Sequence, residues 1–349
     1  MIKLKNHIIN SIYTVTNNLS YPKKECSLAP PKNNEFGDLC SNIALLLAKD
    51  LKKPPLEIAN NIVAELNNIS IKNIANISVT NPGFINFKIE DHYFQFEIKD
   101  ILDKNQKYGK GSIGVGKTAN VEFVSANPTG PLTVGHGRNA VLGDTVSNIL
   151  EWQGYKVTRE YYFNNAGRQM RILAQSVEAR YFELLGRDLE LPQDGYQGQY
   201  IIDIAQSILN QKGQGLKSGD LIFQSIAEDT MFVKIKYTLN ELKIYFDQFT
   251  NEKTFYENGD IEKFMDELKG KDLIYEKENA TWFRTTSLGK EQDRVYIKST
   301  GEPTYRVPDT AYHRDKINRK YDLIIDVFGA DHADAYPDVI CALEALGHD

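Results

Sequence analysis

The chain has 349 residues, which is enough for two or three domains. Its composition, 41% hydrophobic and 25% charged, is that of a globular protein, and it contains no apolar run of the roughly 18 residues that a membrane span requires. The formal net charge of -6 lacks the basic excess typical of nucleic-acid-binding domains, so any RNA contact has to use local patches or shape.

The cysteines and the first residues bear on the cellular compartment. Cys26, Cys40 and Cys341 are scattered and have no Cys-x-x-Cys spacing, which argues against a disulfide framework or a structural zinc site. The first segment, "MIKLKNHIINSIYTV", lacks the features of a signal peptide, and its spacing predicts an amphipathic helix. We therefore expect a cytoplasmic protein that does not associate with a membrane.

Residues 1 to about 98 have the pattern of a small α+β module. Two helix patterns between residues 35 and 66 are separated by Pro54 and Pro55. Two strand-like pieces, "ISVT" and "FINFKI", flank the turn formed by Asn81, Pro82 and Gly83.

The segment 99–117 is rich in glycine and lysine and predicts the end of a helix followed by a linker. Gly111, Gly116 and Lys117 have, on paper, the spacing of a phosphate-binding P-loop. A P-loop needs a strand before it and a helix after it, whereas the next segment, "NVEFVS", is strand-like. We therefore favour the linker.

A β-loop-α-β unit is predicted from about residue 119. Val121 and Phe123 begin a strand, a helix follows and ends near Gly154, and "KVTREYYF" is the second strand. The segment 320–347 repeats the order strand, glycine loop and helix, with Pro337 suited to a first helical turn. These units predict a parallel sheet with right-handed crossovers, interrupted by a mostly helical, charged insertion at about 185–290.

The loop "SANPTGPLTVGHGRNAVLGD", residues 125–144, leads from the first strand of this unit into its helix. A helix that begins near His136 directs backbone N–H groups and a positive dipole end towards the carboxyl ends of the strands, where anions bind. Gly135 and Gly137 allow a flat base or a phosphate to approach closely. The alternative, that His136 only caps the helix, stays open on spacing alone.

This loop resembles the signature loop of class I aminoacyl-tRNA synthetases, in the form carried by arginyl-tRNA synthetases. The resemblance continues through "EWQGYKVTREYYFNNAGRQM", "DRVYIKSTGEPTYRVPDTAYHRDK" and "VFGADHADAYPDVICALEALGHD", and it covers nearly the whole chain. "FGDLCSNIALLLAKDLKKPPLEIANNI" and "NPGFINF" resemble the amino-terminal domain of that family. The signature residues are Ala126, Asn127, Pro128, Thr129, Gly130, Pro131, Leu132, Thr133, Val134, Gly135 and His136.

The resemblance implies a fold and a division of the chain. The fold is α/β, with a doubly wound parallel-sheet (Rossmann-like, HUP-type) catalytic domain that carries a helical insertion and follows a small α+β N-terminal domain. Residues 1–110 would form the appended tRNA-contacting domain, and residues 111–349 would form the class I catalytic domain, with its C-terminal end incomplete.

The resemblance also implies ligation of L-arginine to tRNA(Arg) through arginyl-adenylate, with ATP and Mg²⁺ as substrate, no structural metal, and a monomeric enzyme. The carboxylate that attacks the α-phosphorus is already ionised at pH 7, so positioning and hydrogen-bond donors must carry the first step. Thr133, Gly135 and His136 are the implied catalytic residues. ATP would also contact Gly137, Asn139, Gly329, Asp331 and His332.

The implied arginine site uses groups that match a guanidinium, a planar fork of donors that favours carboxylates and an aromatic face. Glu122 and Asp309 would bind the guanidinium and Tyr305 would flank it. Tyr305 and Asp309 lie one helical turn apart if a helix begins near them. Ser125 and Asn127 would hold the α-amino and carboxylate groups of arginine. Asp331 would also contact arginine in this pocket.

Other interpretations of these residues remain. Glu122 could be an edge-strand charge and Tyr305 a core aromatic. A metal site at Asp331, His332 and Asp334 is weaker, because no further partner has a ligand-like spacing.

Three departures from the family pattern limit the expected activity. Thr133 stands where the signature usually has its first His, and Asp331 stands where many relatives have Gln. The sequence ends at Asp349, before the family's second, Lys-Met-Ser-Lys-like signature and its anticodon-binding domain. We therefore expect a fragment that binds its ligands weakly and activates arginine poorly.

Two other functions stay open: a non-catalytic module that binds RNA or a protein, and an adenylyltransferase for another small molecule. Selectivity for arginine would separate them from the first hypothesis. In the N-terminal module, the family implies contact with the tRNA elbow, for which Lys23, Lys24, Lys52 and Lys53 are candidates, although such lysines are more often a solvated face.

Overall fold

The computed structural model describes residues 1–330 and 333–348. The chain divides into two compact units, Met1–Gly109 and Lys110–Asp349. Within the described residues, no helix has the length and apolar character needed to cross a lipid bilayer.

The first unit is α+β. Its three strands form an antiparallel sheet in the order β1-β3-β2. Buried side chains of its helices, such as Ile8 and Ile62, form a core with strand residues such as Phe87. Its elements are α1 (Ile2–Asn18), a 3₁₀ turn (Asn34–Phe36), β1 (Leu39–Ser41), α2 (Ile43–Leu51), α3 (Pro55–Ile69), β2 (Ile74–Thr80), β3 (Phe84–Ile89), α4 (Asp91–Lys104) and a second 3₁₀ turn (Asn105–Lys107).

The turn between β2 and β3 lies where the sequence indicates it. Gly83 has a φ of 150°, in a region that residues with a side chain rarely adopt, and a Cβ there would lie 2.7 Å from the backbone of Pro55. The hairpin therefore needs glycine both for its turn and for its packing against α3.

The second unit is α/β. Residues 108–117, all of them described, contain neither helix nor strand and lead into a strand, as a linker rather than a P-loop does. Its elements are β4 (Thr118–Glu122), α5 (Val134–Trp152), β5 (Lys156–Phe163), α6 (Gly167–Leu184), α7 (Gln199–Lys212), α8 (Ile222–Glu241), β6 (Gln248–Asn251), α9 (Lys253–Glu257), α10 (Asp260–Gly270), β7 (Ile274–Lys277), β8 (Ala280–Phe283), a 3₁₀ turn (Thr285–Leu288), β9 (Arg294–Ile297), α11 (Arg306–Asn318), β10 (Leu323–Asp326) and α12 (Tyr336–Ala345).

The central sheet is parallel, in the order β10-β4-β5-β6, which confirms the predicted α/β class. From β4 the sheet continues on one side through β5 and β6 and on the other side through β10. The strand order therefore reverses between β4 and β10, and ligands of open α/β sheets bind at such a topological switch point. Helix α5 packs closely against the residue that follows β4: a Cβ at Gly143 would lie only 2.1 Å from the Phe123 ring.

Two details differ from the sequence-based expectation. Strand β4 ends at Glu122, so Phe123 already belongs to the following loop. The segment 185–290 contains the helices α7 and α8 but also β6, a strand of the central sheet. It further contains β7 and β8, which form a separate antiparallel sheet with β9 in the order β7-β8-β9. These strands have only four residues each, too few for a period-2 pattern to be recognised.

Candidate functional site

A cavity of about 410 Å³ lies at the carboxyl ends of β4 and β10, beside the start of α11. It combines apolar and aromatic walls with several polar groups, as small-molecule sites do. Seven of the residues selected from the sequence line it: Glu122, Ser125, Asn127, Asn139, Tyr305, Asp309 and Gly329.

The start of α11 supplies two of these residues. Tyr305 is the N-cap of the helix and is 73% exposed, which rules out the alternative that it is a core aromatic. Asp309 lies one turn later, and its backbone N–H donates to the Tyr305 carbonyl at 3.1 Å. An aromatic ring and a carboxylate therefore share one face of α11 at the cavity.

Glu122, the last residue of β4, is 2% exposed. Its Oε1 accepts a hydrogen bond from Ser125 Oγ at 2.8 Å, and its Oε2 accepts one from the Lys316 ammonium. Burial raises the pKa of Glu122, and the Lys316 charge opposes that rise. Glu122 is thus not an edge-strand charge, but its carboxylate already has an internal cation.

Glu122, His313 and Asp326 have the composition of a metal site, with ligand atoms that all lie within 4.8 Å of one another. Lys316 Nζ bonds to both carboxylates, and His313 Nε2 lies 3.2 Å from Asp326 Oδ2. Although burial alone would raise it, the pKa of Asp326 is lowered by the His313 hydrogen bond and the Lys316 charge. The Lys316 ammonium therefore already pairs with both carboxylates of this group.

Glu252 is a cavity residue that sequence reasoning missed. It directly follows β6 and is 8% exposed; its carboxylate accepts hydrogen bonds from Tyr162 Oη at 3.0 Å and Asn164 Nδ2 at 2.6 Å. Burial, with the nearby charge of Asp309, raises the pKa of Glu252 to about 7. The only local signal was a carboxylate at the end of the short piece "QFTN".

The loop after β4 has an unusual backbone. Val124 and Ser125 have φ angles of 67° and 44°, in the left-handed region that a β-branched residue rarely adopts. Ser125 Oγ accepts the Tyr162 N–H at 3.1 Å, while Asn127 Oδ1 accepts the Asn164 N–H at 2.9 Å. Both side chains expected to hold substrate thus also hold this loop against the end of β5.

Helix α5 begins at Val134, with Thr133 as its N-cap. The two residues form a reciprocal capping arrangement, in which Thr133 N–H donates to His136 Nδ1 at 3.1 Å and His136 N–H donates to Thr133 Oγ1 at 3.4 Å. His136 is therefore a capping residue, as the structural alternative held. With Nδ1 as acceptor, the neutral ring carries its hydrogen on Nε2, so capping leaves a donor for another group.

The glycines of the signature differ from Gly143 in what surrounds them. Among the described residues, a Cβ at Gly137 would meet nothing within 4 Å, and a Cβ at Gly135 would meet only Thr133 Oγ1, at 3.5 Å. Neither has a positive φ, so the fold itself does not require glycine at these two positions.

The remaining predicted residues are placed as follows. Asn139 is the α5 residue that lines the cavity, whereas Thr133, Gly135, His136 and Gly137 are not among its lining residues. Asp331 and His332 lie outside the described residues. In the N-terminal unit, Lys24 pairs with Asp50 at 2.6 Å and Lys53 with Glu57 at 2.9 Å, while Lys23 and Lys52 are exposed.

The fold and the site define an open-sheet α/β domain with an acidic ligand cavity at its switch point. Family models match on both units: the "Arginyl tRNA synthetase N terminal domain" on residues 3–89, and the "tRNA synthetases class I (R), catalytic domain" on residues 97–344. The chain therefore belongs to the arginyl-tRNA synthetase family of class I.

Individual relatives agree with this assignment. The arginine–tRNA ligases of Desulfotalea psychrophila and Prosthecochloris aestuarii are both 48% identical, over 91% and 94% of this chain. The chain spans 58% and 61% of the lengths of these two relatives. The crystal structure of the Plasmodium falciparum arginyl-tRNA synthetase superposes on 98% of this chain and on 62% of its own chain, with a TM-score of 0.71. The sequence identity is 15%, so this similarity supports the fold alone.

Proposed function

We propose that this chain, which spans 58% and 61% of the lengths of two arginine–tRNA ligases, carries the site that activates L-arginine with ATP to form arginyl-adenylate for transfer to tRNA(Arg), and that its activity by itself is weak. The observation that carries the proposal is the convergence of three carboxylates, Glu122, Glu252 and Asp309, on one cavity at the switch point of the sheet. A guanidinium is the side-chain cation that best matches several carboxylates at once, because its donors are planar and divergent.

Electrostatics supports a cationic occupant. Asp309 and Glu252 both raise the pKa of Tyr162 and Tyr256 beyond the effect of burial, so negative charge accumulates on this side of the cavity. A guanidinium stays protonated at every physiological pH and would favour ionised Glu252. In this assignment Asp309 and Glu252 bind the guanidinium directly, Glu122 completes its surroundings, and Tyr305 covers it.

Ser125 and Asn127 keep their proposed place near the α-amino and carboxylate groups of arginine. Since the Ser125 hydroxyl hydrogen is donated to Glu122, its effect on the substrate is largely through the position of that carboxylate.

The ATP phosphates would lie at the start of α5. Gly135 and Gly137, which the fold does not require, would let the nucleotide approach the backbone, and His136 Nε2–H would donate to phosphoryl oxygens. Asn139, Gly329, Asp331 and His332 complete the proposed nucleotide contacts. Mg²⁺ would enter with the ATP and neutralise part of its charge.

The first step then needs no general base. A carboxylate oxygen of arginine attacks the α-phosphorus, and the bond from that phosphorus to pyrophosphate breaks. In the second step the terminal 2′-hydroxyl of the tRNA attacks the arginyl carbonyl and releases AMP and a proton. The chain's own residues contribute orientation of the carboxylate and donors directed at phosphoryl charge, and one such donor is worth about 3 kcal/mol.

The proposal extends to the N-terminal unit, which would contact tRNA through its exposed lysines. We also propose that the protein is a monomer and that it acts in the cytoplasm. The three free cysteines, two of them buried, support a reducing compartment.

Arginine-dependent ATP–pyrophosphate exchange, measured with and without tRNA(Arg), tests the proposal. Citrulline is the sharpest control, since it has nearly the shape of arginine without its charge, and lysine tests the fork geometry. We expect exchange with arginine only and its loss in Asp309→Asn. Equal exchange or binding with citrulline would show that the acidic cavity does not select a guanidinium.

A further inference from the structure

Three carboxylates stand side by side across the central sheet, beneath the cavity. The register aligns Asp326 of β10 with Glu122 of β4, and Glu122 with Glu160 of β5. Glu122 and Glu160 are 2% and 0% exposed. Neighbouring strands are only about 4.8 Å apart, so ionised groups in such a row repel one another strongly unless cations lie between them.

Helix α11 supplies two cations at that place. Lys316 Nζ bonds to Glu122 and to Asp326, and Lys316 has no exposed surface. One turn later, Arg319 donates to Glu160 Oε2 at 2.9 Å and to Glu160 Oε1 at 3.0 Å. Arg319 thus pairs with only one carboxylate of this row, and with Asp315 outside it at 3.0 Å, whereas Lys316 is shared by two carboxylates of the row.

Lys316 also anchors the aromatic stack that leads to the other side of the cavity. Its Nζ lies 4.2 Å from the centre of the Tyr312 ring, a cation–π distance. Tyr312 stacks on Tyr162, with ring centres 4.2 Å apart and an angle of 15° between the planes. Tyr162 Oη in turn donates to Glu252 at 3.0 Å. One ammonium therefore contacts Glu122 directly and reaches Glu252 through two rings.

We infer that Lys316 is a positioning residue for arginine recognition: its buried ammonium keeps Glu122 charged and fixed, and its contact with Tyr312 sets the ring stack that orients Glu252. The inference rests on the proposed function, because it takes the cavity to be the arginine site. Lys316 does not touch the substrate, since it lies behind Glu122 and Tyr312.

The alternative is that Lys316 only holds the fold together. The charge of Glu122 in the absence of Lys316 distinguishes this structural role from the positioning role. Without Lys316, Glu122 would face Asp326 of β10 and Glu160 of β5. Among the described residues, the cations left nearby would be Arg319 and, when protonated, His313 of α11. Asp309 and Glu252, at the cavity, add further negative charge. Glu122 would then take up a proton, and its negative charge would be lost from the wall of the cavity.

The experiment compares Lys316→Met and Lys316→Gln with the wild type, with Glu122→Gln added to each as a matched double variant. Lys320→Met, an exposed lysine just after the same helix, is the control for lysine removal as such. Lys316→Gln keeps a hydrogen-bond donor and guards against a failure of Lys316→Met to fold, which circular dichroism checks. Infrared difference spectra against the wild type, recorded at neutral pH, report the carbonyl band of a carboxyl group that is protonated only in the variant, because the partly protonated Glu252 contributes to both spectra.

We expect that band in either Lys316 variant and its loss when Glu122→Gln is added. Arginine affinity, measured by calorimetry, should fall about tenfold to a hundredfold and should recover as the pH rises and Glu122 ionises. The inference is overturned if the variants fold, lack the band and bind arginine as the wild type does. A wild type that does not prefer arginine to citrulline would instead refute the proposed function and the arginine role of Lys316, while the infrared band would still decide whether Lys316 keeps Glu122 charged.

Discussion

The side chain of Asn139 joins the ends of the two strands that flank the cavity. Its Oδ1 accepts the backbone N–H of Val124, which follows β4, and its Nδ2 donates to the backbone carbonyl of Val327, which follows β10, each at 2.7 Å. Both ends of the amide are thus used within the protein. The amide fixes the opening between the strands and holds Val124 in its left-handed conformation.

Asn139→Ala should therefore reduce both stability and activity. It leaves one backbone donor and one backbone acceptor without partners, which costs about 1–3 kcal/mol for each group that stays buried. Urea unfolding measures the loss of stability, and arginine-dependent exchange should fall more than the stability loss explains. Thr145→Ala on the same helix removes one exposed hydrogen bond, to the Val141 carbonyl, and should change stability by no more than about 0.5 kcal/mol. Equal effects of the two substitutions would contradict the conclusion that Asn139 fixes the ends of β4 and β10.

Glu252 should make the stability of the protein depend on pH. Its pKa of about 7 in the folded state lies above the ordinary value of 4.5, so between these values the folded chain holds a proton that the unfolded chain has released. Its stabilising contribution is therefore complete below about pH 4.5 and is lost as the pH rises through about 7. The loss is on the order of 3 kcal/mol. Urea unfolding of Glu252→Gln, compared with the wild type across this range, should lack this component.

Arginine provides a second measurement on the same residue. A bound guanidinium favours the Glu252 carboxylate, so arginine affinity should rise as the pH passes about 7 in the wild type and rise less in Glu252→Gln. Glu257→Gln, at an exposed carboxylate that pairs with Lys253, is the matched control and should behave as the wild type. A Glu252→Gln profile that overlies the wild-type profile would remove Glu252 from the proposed arginine site.

Two glycines of α5 should respond in opposite ways to alanine. Gly143→Ala drives a Cβ into the Phe123 ring, and such overpacking costs about 1–3 kcal/mol. Gly137→Ala meets open space and should stabilise the helix by up to about 1 kcal/mol, yet it should weaken ATP binding if the nucleotide approaches there. Thermal unfolding and ATP titration measure the two effects. Undiminished ATP binding by Gly137→Ala would place the phosphates elsewhere.

Local patterns sufficed for the parts of the fold that are long or marked by turns. The strand "KVTREYYF" was predicted with the bounds it has, and the turn at Asn81, Pro82 and Gly83 joins two strands as expected. Tyr305 and Asp309 were expected one turn apart on a helix and are. In each case the signal lies within a few adjacent residues.

Long-range pairing accounts for what the sequence did not reveal. Lys316 is charged and fully buried because Glu122, 194 positions earlier, lies beside it, and no local pattern records that partner. The sequence does not identify Glu252 as a cavity residue, because β6 is four residues long and lies in a segment predicted as an insertion. The capping role of His136 was foreseen only as an alternative, since its geometry depends on where the helix begins.

If the N-terminal unit contacts tRNA as proposed, its lysines should not contribute equally to that contact. Lys24 and Lys53 already share their charge with Asp50 and Glu57, whereas Lys23 and Lys52 are exposed. Each phosphate that a lysine neutralises adds roughly 0.7–0.9 to the slope of log affinity against log salt. Lys23→Gln with Lys52→Gln should therefore lower that slope for tRNA(Arg) by more than one.

The matched pair is Lys24→Gln with Lys53→Gln, which removes the same formal charge but leaves two carboxylates behind. If only local positive charge matters, this pair also weakens binding, because Asp50 and Glu57 then repel the phosphates. If direct phosphate contacts matter instead, the first pair should lower the slope of log affinity against log salt by more than this pair does. Filter binding at several salt concentrations separates the two cases. Slopes unchanged in both pairs would show that these lysines are a solvated face and that tRNA binds the chain elsewhere.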